Sequence, residues 1–380
     1  MSTVDRKLDP FPWYRAMRHD APVVQDPEYG NWSVFRYDDV LRVLSDWESF
    51  SSQYMGGAQN PNNPIGSSLI GTDPPRHRQL RSLVNLAFTP RAVAALEPRI
   101  VEIADDLLGN VSGAAGFDLV GDLAYPLPVT VIADLLGVAH EHRETFKRWA
   151  DAIVSEHTDP QERALQGQMI ALLRRSIAEH RAAPRDDLIS ALLAAQVDGE
   201  HLSEVDLLGF CMLLLVAGHE TTTNLIGNAI LCFDEQPGLW QTLRAERTLL
   251  PGAIEEALRY RSPVQSMFRV AARDVALDGH RIPAGQMVTA WIGSANRDPA
   301  QFPDPERFDV RRRPNRHLAF GHGIHFCLGA PLARLEARVT LSALLDRYAA
   351  LRVDRRVPLE PMPSQIVYGV RALPVLVEPA

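Results

Sequence analysis

The sequence predicts a mainly α-helical protein carrying small β-sheets. Two observations carry this. Apolar residues recur with a helical period over most of the 380 residues. Strand signals are confined to a few short segments bounded by turn residues. No boundary argues for separate domains, and a chain of this size can bury one large core. One domain spanning residues 1–380 is therefore expected.

Taken in order, Trp32 to Tyr37 reads as a strand. The segment Ser51 to Pro75, about 25 residues rich in Gly, Asn, Pro and Ser, reads as a binding loop or lid. Helical pattern follows over Arg91 to Leu108, Val129 to Leu136, Glu141 to Val154 and Arg163 to Arg181. The longest helix should open at Ser203, where Ser203 and Asp206 fit a capping pattern, and run to about Phe233. A second should open at Pro251, a good first-turn residue, and stop before Pro263. Val275 to Leu277 and His280 to Ile282 flank Asp278-Gly279, the chemistry of a type I′ hairpin turn. Met287 to Ile292 reads as a further strand, and a last helix runs from Ala330-Pro331 towards Tyr348.

The net charge of -8 gives no reason to expect a nucleic acid partner. The three cysteines, Cys211, Cys232 and Cys327, are sparse and widely spaced. They form neither a disulfide framework nor a CxxC zinc pair, which points to a reducing compartment. Met1 to Pro12 is polar and lacks the apolar core of a signal peptide. The most apolar stretch, Leu207 to Gly218, reads as too short to span a bilayer. A cytoplasmic protein with no membrane anchor is expected.

Chemistry concentrates in Phe320-Gly-His-Gly-Ile-His-Phe-Cys-Leu-Gly329. Glycines such as Gly321 let backbone N–H groups turn towards an anionic sulfur. A helix N-terminus follows directly and adds partial positive charge. Both favour the Cys327 thiolate, the form that ligates metal. A second polar island, Ala217-Gly-His-Glu-Thr-Thr222, interrupts the apolar long helix. Glu256 and Arg259 share a helix face at i, i+3, as do His77 and Arg81 at i, i+4. Cys211 and Cys232 lie on the apolar helix and read as core.

Phe320-Gly-x-Gly-x-x-x-Cys327-x-Gly329 resembles the haem-binding loop of the cytochrome P-450 family. The other motifs follow in the family's order, and the resemblance covers essentially the whole chain. It implies a triangular, mostly helical fold with haem b (iron protoporphyrin IX) between two long helices. It implies a monooxygenase that inserts one atom of O2 into a substrate C–H bond. Cys327 would be the iron ligand, in the loop begun by Phe320 and Gly321. Ala217 and Gly218 would leave space over the haem. Thr221 would hydrogen-bond the bound oxygen, and Glu220 would relay protons to it, an acid–alcohol pair that peroxide-dependent relatives lack. His77, Arg81, Arg269 and His325 would bind the haem carboxylates, arginine suiting them through its bidentate fork. Glu256, Arg259 and Arg307 would form a buried structural triad.

The resemblance also implies a separate electron donor, a ferredoxin or flavodoxin with its NAD(P)H reductase, and a monomeric chain. Arg78, Arg334 and the run Arg311-Arg312-Arg313 are candidates for a basic docking face. Five stretches would surround the substrate: Gln53 to Leu69, Val154 to Gln168, Leu213 to Ala217, Val264 to Phe268 and Gln365 to Tyr368. They supply Val216, Ala217, Val264, Met267, Phe268, Ile366 and Val367, with Gln265 and Gln365 as polar contacts. A small lipophilic substrate is expected, a terpenoid or steroid first, then a fatty acid, then a macrolide. Two rivals stand apart. A cysteine hydrolase using His325 and Cys327 would bind no haem. A haem sensor would bind haem without consuming reductant in response to substrate.

Overall fold

A computed structural model of the chain describes residues 7–55, 65–138, 149, 160–364 and 366–380. Its early helices are α1 (Phe11–Asp20), α2 (Tyr37–Ser45) and α3 (Arg76–Ala87). Then come α4 (Pro90–Ala94), α5 (Glu97–Asn110), α6 (Pro126–Leu135), α7 (Pro160–Ala182) and α8 (Leu188–Ala194). The later ones are α9 (Glu204–Asp234), α10 (Leu239–Ala245), α11 (Leu250–Tyr260), α12 (Ile292–Ala295) and α13 (Ala330–Arg347). The expected helix over Glu141 to Val154 lies outside the described residues, as does Gln365.

The stretch from Arg91 to Leu108 is two helices, broken at Ala95-Leu96. The cause is Pro98, which has no N–H to give the Ala94 carbonyl and whose ring crowds it. Tyr37, expected in a strand, instead opens α2, where Asp38 and Asp39 complement the positive end of the helix. Within 51–75, described turns of 3-10 helix occupy Gln53–Met55 and Leu69–Gly71.

α9 organises the interior. Its start is fixed reciprocally: Asp206 N–H donates to the Ser203 hydroxyl, and Ser203 N–H donates to the Asp206 carboxylate. The expectation of a short apolar stretch is corrected. Among the described residues, this 31-residue helix alone is long and apolar enough to cross a membrane. Its apolar residues are spent on protein contacts, because it packs against α6, α11 and α13.

Three sheets flank the helices. The largest runs β1-β2-β8-β5-β3, from Val23–Gln25, Trp32–Val34, Met287–Ala290, Met267–Ala271 and Phe50–Ser51. Its β2–β8 pair is parallel and the others are antiparallel. A second sheet joins β4 (Gly116–Asp118), β10 (Pro374–Pro379) and β9 (Tyr348–Val353). The hairpin β6–β7 (Val275–Leu277, His280–Ile282) turns on Asp278 at φ 43° and Gly279 at φ 78°, as the type I′ reading requires. For the site, the large sheet matters most. Held between β8 and β3, β5 presents its residues to the cavity beside α9.

Candidate active site

The cysteine loop is shaped by two glycines with left-handed backbone, Gly321 at φ 69° and Gly323 at φ 72°. Gly323 also passes close to α2, where an added Cβ would sit 3.0 Å from the Ser45 Cα. A single 3-10 turn, Gly323–His325, then delivers Cys327, whose N–H donates to the Phe320 carbonyl at 2.9 Å. The Cys327 sulfur accepts from the Gly329 and Ala330 N–H groups as α13 begins. The cradle is present, yet burial outweighs it and pushes the thiol up. The backbone donors lower it as expected, but alone they act less strongly than burial. A bound metal cation would supply the missing charge and displace the proton.

Across the cavity from Cys327, α9 contributes Ala217, Gly218 and Thr221 to the wall. Gly218 lies close to α6, where an added Cβ would meet the Ile132 Cδ1 at 2.8 Å and turn that side chain aside. The Thr221 hydroxyl donates to the Ala217 carbonyl at 2.7 Å. Its lone pairs remain able to accept. Glu220 is not among the lining residues; it is half-buried behind them, and burial raises its carboxyl to about 6.

One end of the cavity is cationic. His77 and Arg81 come from α3, Arg269 from β5 and His325 from the cysteine loop, and all four line the cavity. The His77 and His325 rings meet edge to face at 4.4 Å. Burial, then His325, then Arg81 hold His77 down at about 4, while Asp73 acts in the other direction. Asp73 and Ser52 support His325: the Ser52 hydroxyl lies 2.9 Å from its Nε2, and the Asp73 carboxylate accepts the Ser52 N–H at 3.1 Å. Neither residue was singled out in the sequence, where nothing marked them as partners of a distant histidine. The His77 Nε2 is buried with no hydrogen-bond partner among the described residues, and His77 lines the cavity together with Arg81 and Arg269. This donor set fits the carboxylates of a haem, as the lone thiolate at Cys327 fits its iron.

The apolar wall only partly matches expectation. Val264 and Met267 line it, but Phe268 does not. Strand alternation turns Phe268 to the opposite face, against Tyr54 at 6.2 Å between ring centroids. Val216 is out of helical phase with Ala217 and Thr221 and is likewise absent from the lining. Ile366 and Val367 are absent too. Their segment bonds to the backbone instead, the Gln265 N–H donating to the Ile366 carbonyl and Val367 bridging Val264. The Gln265 side chain is no substrate contact: it accepts from the Tyr14 hydroxyl at 2.8 Å and donates to the Ser262 carbonyl. Leu69, Leu213 and Leu214 line the cavity from the expected stretches Gln53 to Leu69 and Leu213 to Ala217, whereas Ile132 and Ile292 were missed. In sequence they read as ordinary core.

On the side of α11, Glu256 and Arg259 form a bidentate pair at 2.7 and 2.9 Å with both side chains fully buried. The third member is Arg312, whose Nε donates to Glu256 at 3.1 Å. This corrects Arg307, which offers only its carbonyl, to Arg259 and Arg312, while the residue itself is exposed. The arginine run is therefore not one solvated patch. Arg311 pairs with Glu246, Arg312 is buried, and Arg313 is exposed. Arg334 grips Glu255 through two hydrogen bonds of 2.6 and 2.8 Å and lies over the Phe320 ring at 4.4 Å.

A family model described as Cytochrome P450 matches residues 122–375. The chain is 48% identical to the putative cytochrome P-450 YjiB of Bacillus subtilis over 96% of this chain and 93% of that one. It is 44% identical to the erythromycin C-12 hydroxylase of Saccharopolyspora erythraea over 96% and 93%. Its fold superposes on CYP109E1 of Bacillus megaterium, solved with testosterone, at a TM-score of 0.91 and 46% identity, covering 97% of this chain and 99% of that one. With Cys327, the Ala217–Thr221 turn of α9 and the group His77, Arg81, Arg269 and His325 all lining one cavity, the chain belongs to the cytochrome P-450 family, a haem b monooxygenase supplied with electrons from outside.

Proposed function

We propose that the chain hydroxylates a neutral, steroid-sized lipophile. One observation carries this. The ionisable residues that line the cavity all belong to the cysteine loop, the cationic cluster or α13. Beyond them, and apart from the hydroxyls of Thr221 and Thr222, the described wall is apolar, through Leu69, Leu213, Leu214, Val264, Met267 and Ile292. Such a wall binds by apolar burial, about 25 cal/mol per Å². A charged substrate end would find no partner there. CYP109E1, whose structures hold testosterone and corticosterone at 46% and 45% identity to this chain, supports the same class. A macrolide is the second reading, favoured over a fatty acid by the 44% identity to an erythromycin hydroxylase.

The geometry supports a set of residue roles. Cys327 would hold the iron, and His77, Arg81, Arg269 and His325 the two carboxylates of the haem. When bound, the haem supplies the oxygen-activating chemistry. Ala217 and Gly218 keep the space in front of it clear. Thr221, anchored by the Ala217 carbonyl, keeps its lone pairs for a proton-bearing group in that space. Glu220, near 6, exchanges protons with water close to neutral pH and would pass them forward.

The electron donor, a ferredoxin or flavodoxin, would dock at the groove between α4, α11 and α13. Pro90, Val93, Pro251, Arg313, Arg334 and Arg338 line it. Stacking of Arg334 on Phe320 puts this groove next to the cysteine loop.

Titration of the ferric enzyme with testosterone, corticosterone, erythromycin and straight-chain fatty acids tests the substrate. Steroids should shift the haem spin state and be hydroxylated. A shift with the acids alone would overturn the proposal.

A further inference from the structure

Glu336 takes no part in the roles above, yet it lines the same cavity. It lies on α13, nine residues after Cys327. Only 1% of it is exposed, and its Oε1 has no hydrogen-bond partner. The Thr222 hydroxyl, on α9 next to Thr221, is its one side-chain partner. One turn along α13, the Thr340 hydroxyl is buried and also without a partner. An ionised carboxylate in this position would keep an unsatisfied oxygen away from water, which is costly. A protonated one needs only a single acceptor, and Thr222 can be that acceptor.

Among the described residues no cation compensates it. On α13 itself, Arg334, Arg338 and Arg347 pair with Glu255, Glu97 and Asp105. From α11, Glu256 and Arg259 face each other, and from α10 the Arg244 guanidinium goes to the Leu345 carbonyl. From α5, Arg99 pairs with Glu102 and Asp134. Arg91 of α4 and Arg352 of β9 are exposed. α9 adds Glu220, another acid. Burial accordingly raises Glu336 to about 8.

We propose that Glu336 is a redox-linked proton site, so that the reduced cofactor is formed with this carboxyl protonated. An electron entering the cavity adds one negative charge beside a group that has no counter-ion. The two charges repel, so reduction strengthens the hold of Glu336 on its proton. Near neutral pH the carboxyl is already neutral and one electron enters alone. At alkaline pH it has ionised, and each electron from the iron–sulfur or flavin donor brings one proton from water. That proton forms the O–H bond of Glu336, and no other bond is made or broken. Oxidation releases the same proton.

The test is the midpoint potential of the haem-loaded enzyme across about pH 7 to 10. In the wild type the potential should be level near neutral and fall above about pH 8. Its slope should approach, without exceeding, about 59 mV per pH unit, one proton per electron. Glu336→Gln should match the wild type near neutral pH and stay level above it. Glu220→Gln should keep the wild-type slope. A level wild type, or an unchanged slope in Glu336→Gln, overturns the proposal. Should that variant fail to load haem, the wild type suffices. Reduction at alkaline pH should make a carboxylic acid C=O band appear in the infrared difference spectrum, shifted in D2O, and its absence is equally decisive. The inference rests on haem lying in this cavity, which the absorption spectrum of the loaded protein reports independently.

Discussion

Arg312 meets Glu256 at 3.1 Å in a corner where the two side chains are 8% and 0% exposed. Arg259 already occupies the same carboxylate, and the Asp309 N–H and Asn315 amide also donate to it. Four residues converge on one buried anion, and Arg259 still neutralises it when Arg312 is lost, so what goes is one charge-assisted hydrogen bond and the bonds from Arg312 to nearby carbonyls. Arg312→Ala should cost about 1.5–3 kcal/mol. Arg307→Ala should change stability by less than about 0.5 kcal/mol. Urea unfolding of the two variants separates them, and equal losses would contradict the assignment.

Cys327→Ala removes the soft anionic ligand of the loop. The variant should lose the red-shifted band of the reduced carbon monoxide complex and all oxygenation. Persistence of that band would show that iron is held elsewhere.

Thr221→Ala deletes the hydroxyl anchored at Ala217 and spares the apolar wall. Substrate should still shift the spin state, while reductant is diverted to peroxide. Removal of a positioned proton-transfer group costs on the order of 10² or more in rate. Unchanged product per NAD(P)H consumed would remove Thr221 from the proton path.

His77 sits at about 4 in the folded chain, chiefly through burial, against an ordinary value of 6.5. Between those values the unfolded chain binds a proton that the folded chain does not. The haem-free protein should therefore lose stability as pH falls from about 6.5 through about 4. His77→Gln should flatten that part of the profile, followed by thermal unfolding across pH. A profile identical to wild type would exclude His77 as its origin.

Arg313 is exposed beside the groove, whereas Arg334 is committed to Glu255. Arg313→Glu should slow reduction by an acidic donor, with the deficit shrinking as salt rises. Reduction at the wild-type rate across salt would place the docking face elsewhere.

What the sequence revealed and what it hid divide along physical lines. Local rules are legible locally. The Ser203–Asp206 box, the Asp278-Gly279 turn and the glycines around Cys327 all appear where their chemistry demands. Side-chain direction was harder. Met267 and Phe268 are neighbours in sequence but face opposite ways, and Val216 misses the wall that Ala217 joins. Partners distant in the chain were hidden as well. Nothing near Arg312 says that it, and not Arg307, reaches a carboxylate 56 residues away. Gln265 looked like a ligand contact because its bond to Tyr14 spans 251 residues.

The strand Met267–Ala271 pairs with Met287–Ala290 from Met267 to Val270, and its far end is also pinned to Phe50–Ser51 through Val270 and Ala271. In engineering terms it is a fixed rail. Its backbone has little freedom to retreat from a bulkier guest, so adaptation there must come by exchanging the group mounted on it. Of its five positions, Met267 is the one to vary, because Arg269 serves the cationic end and Phe268 turns to Tyr54. Repertoires of new substrates can thus be sought with a library of one residue, mounted where the scaffold itself does not yield.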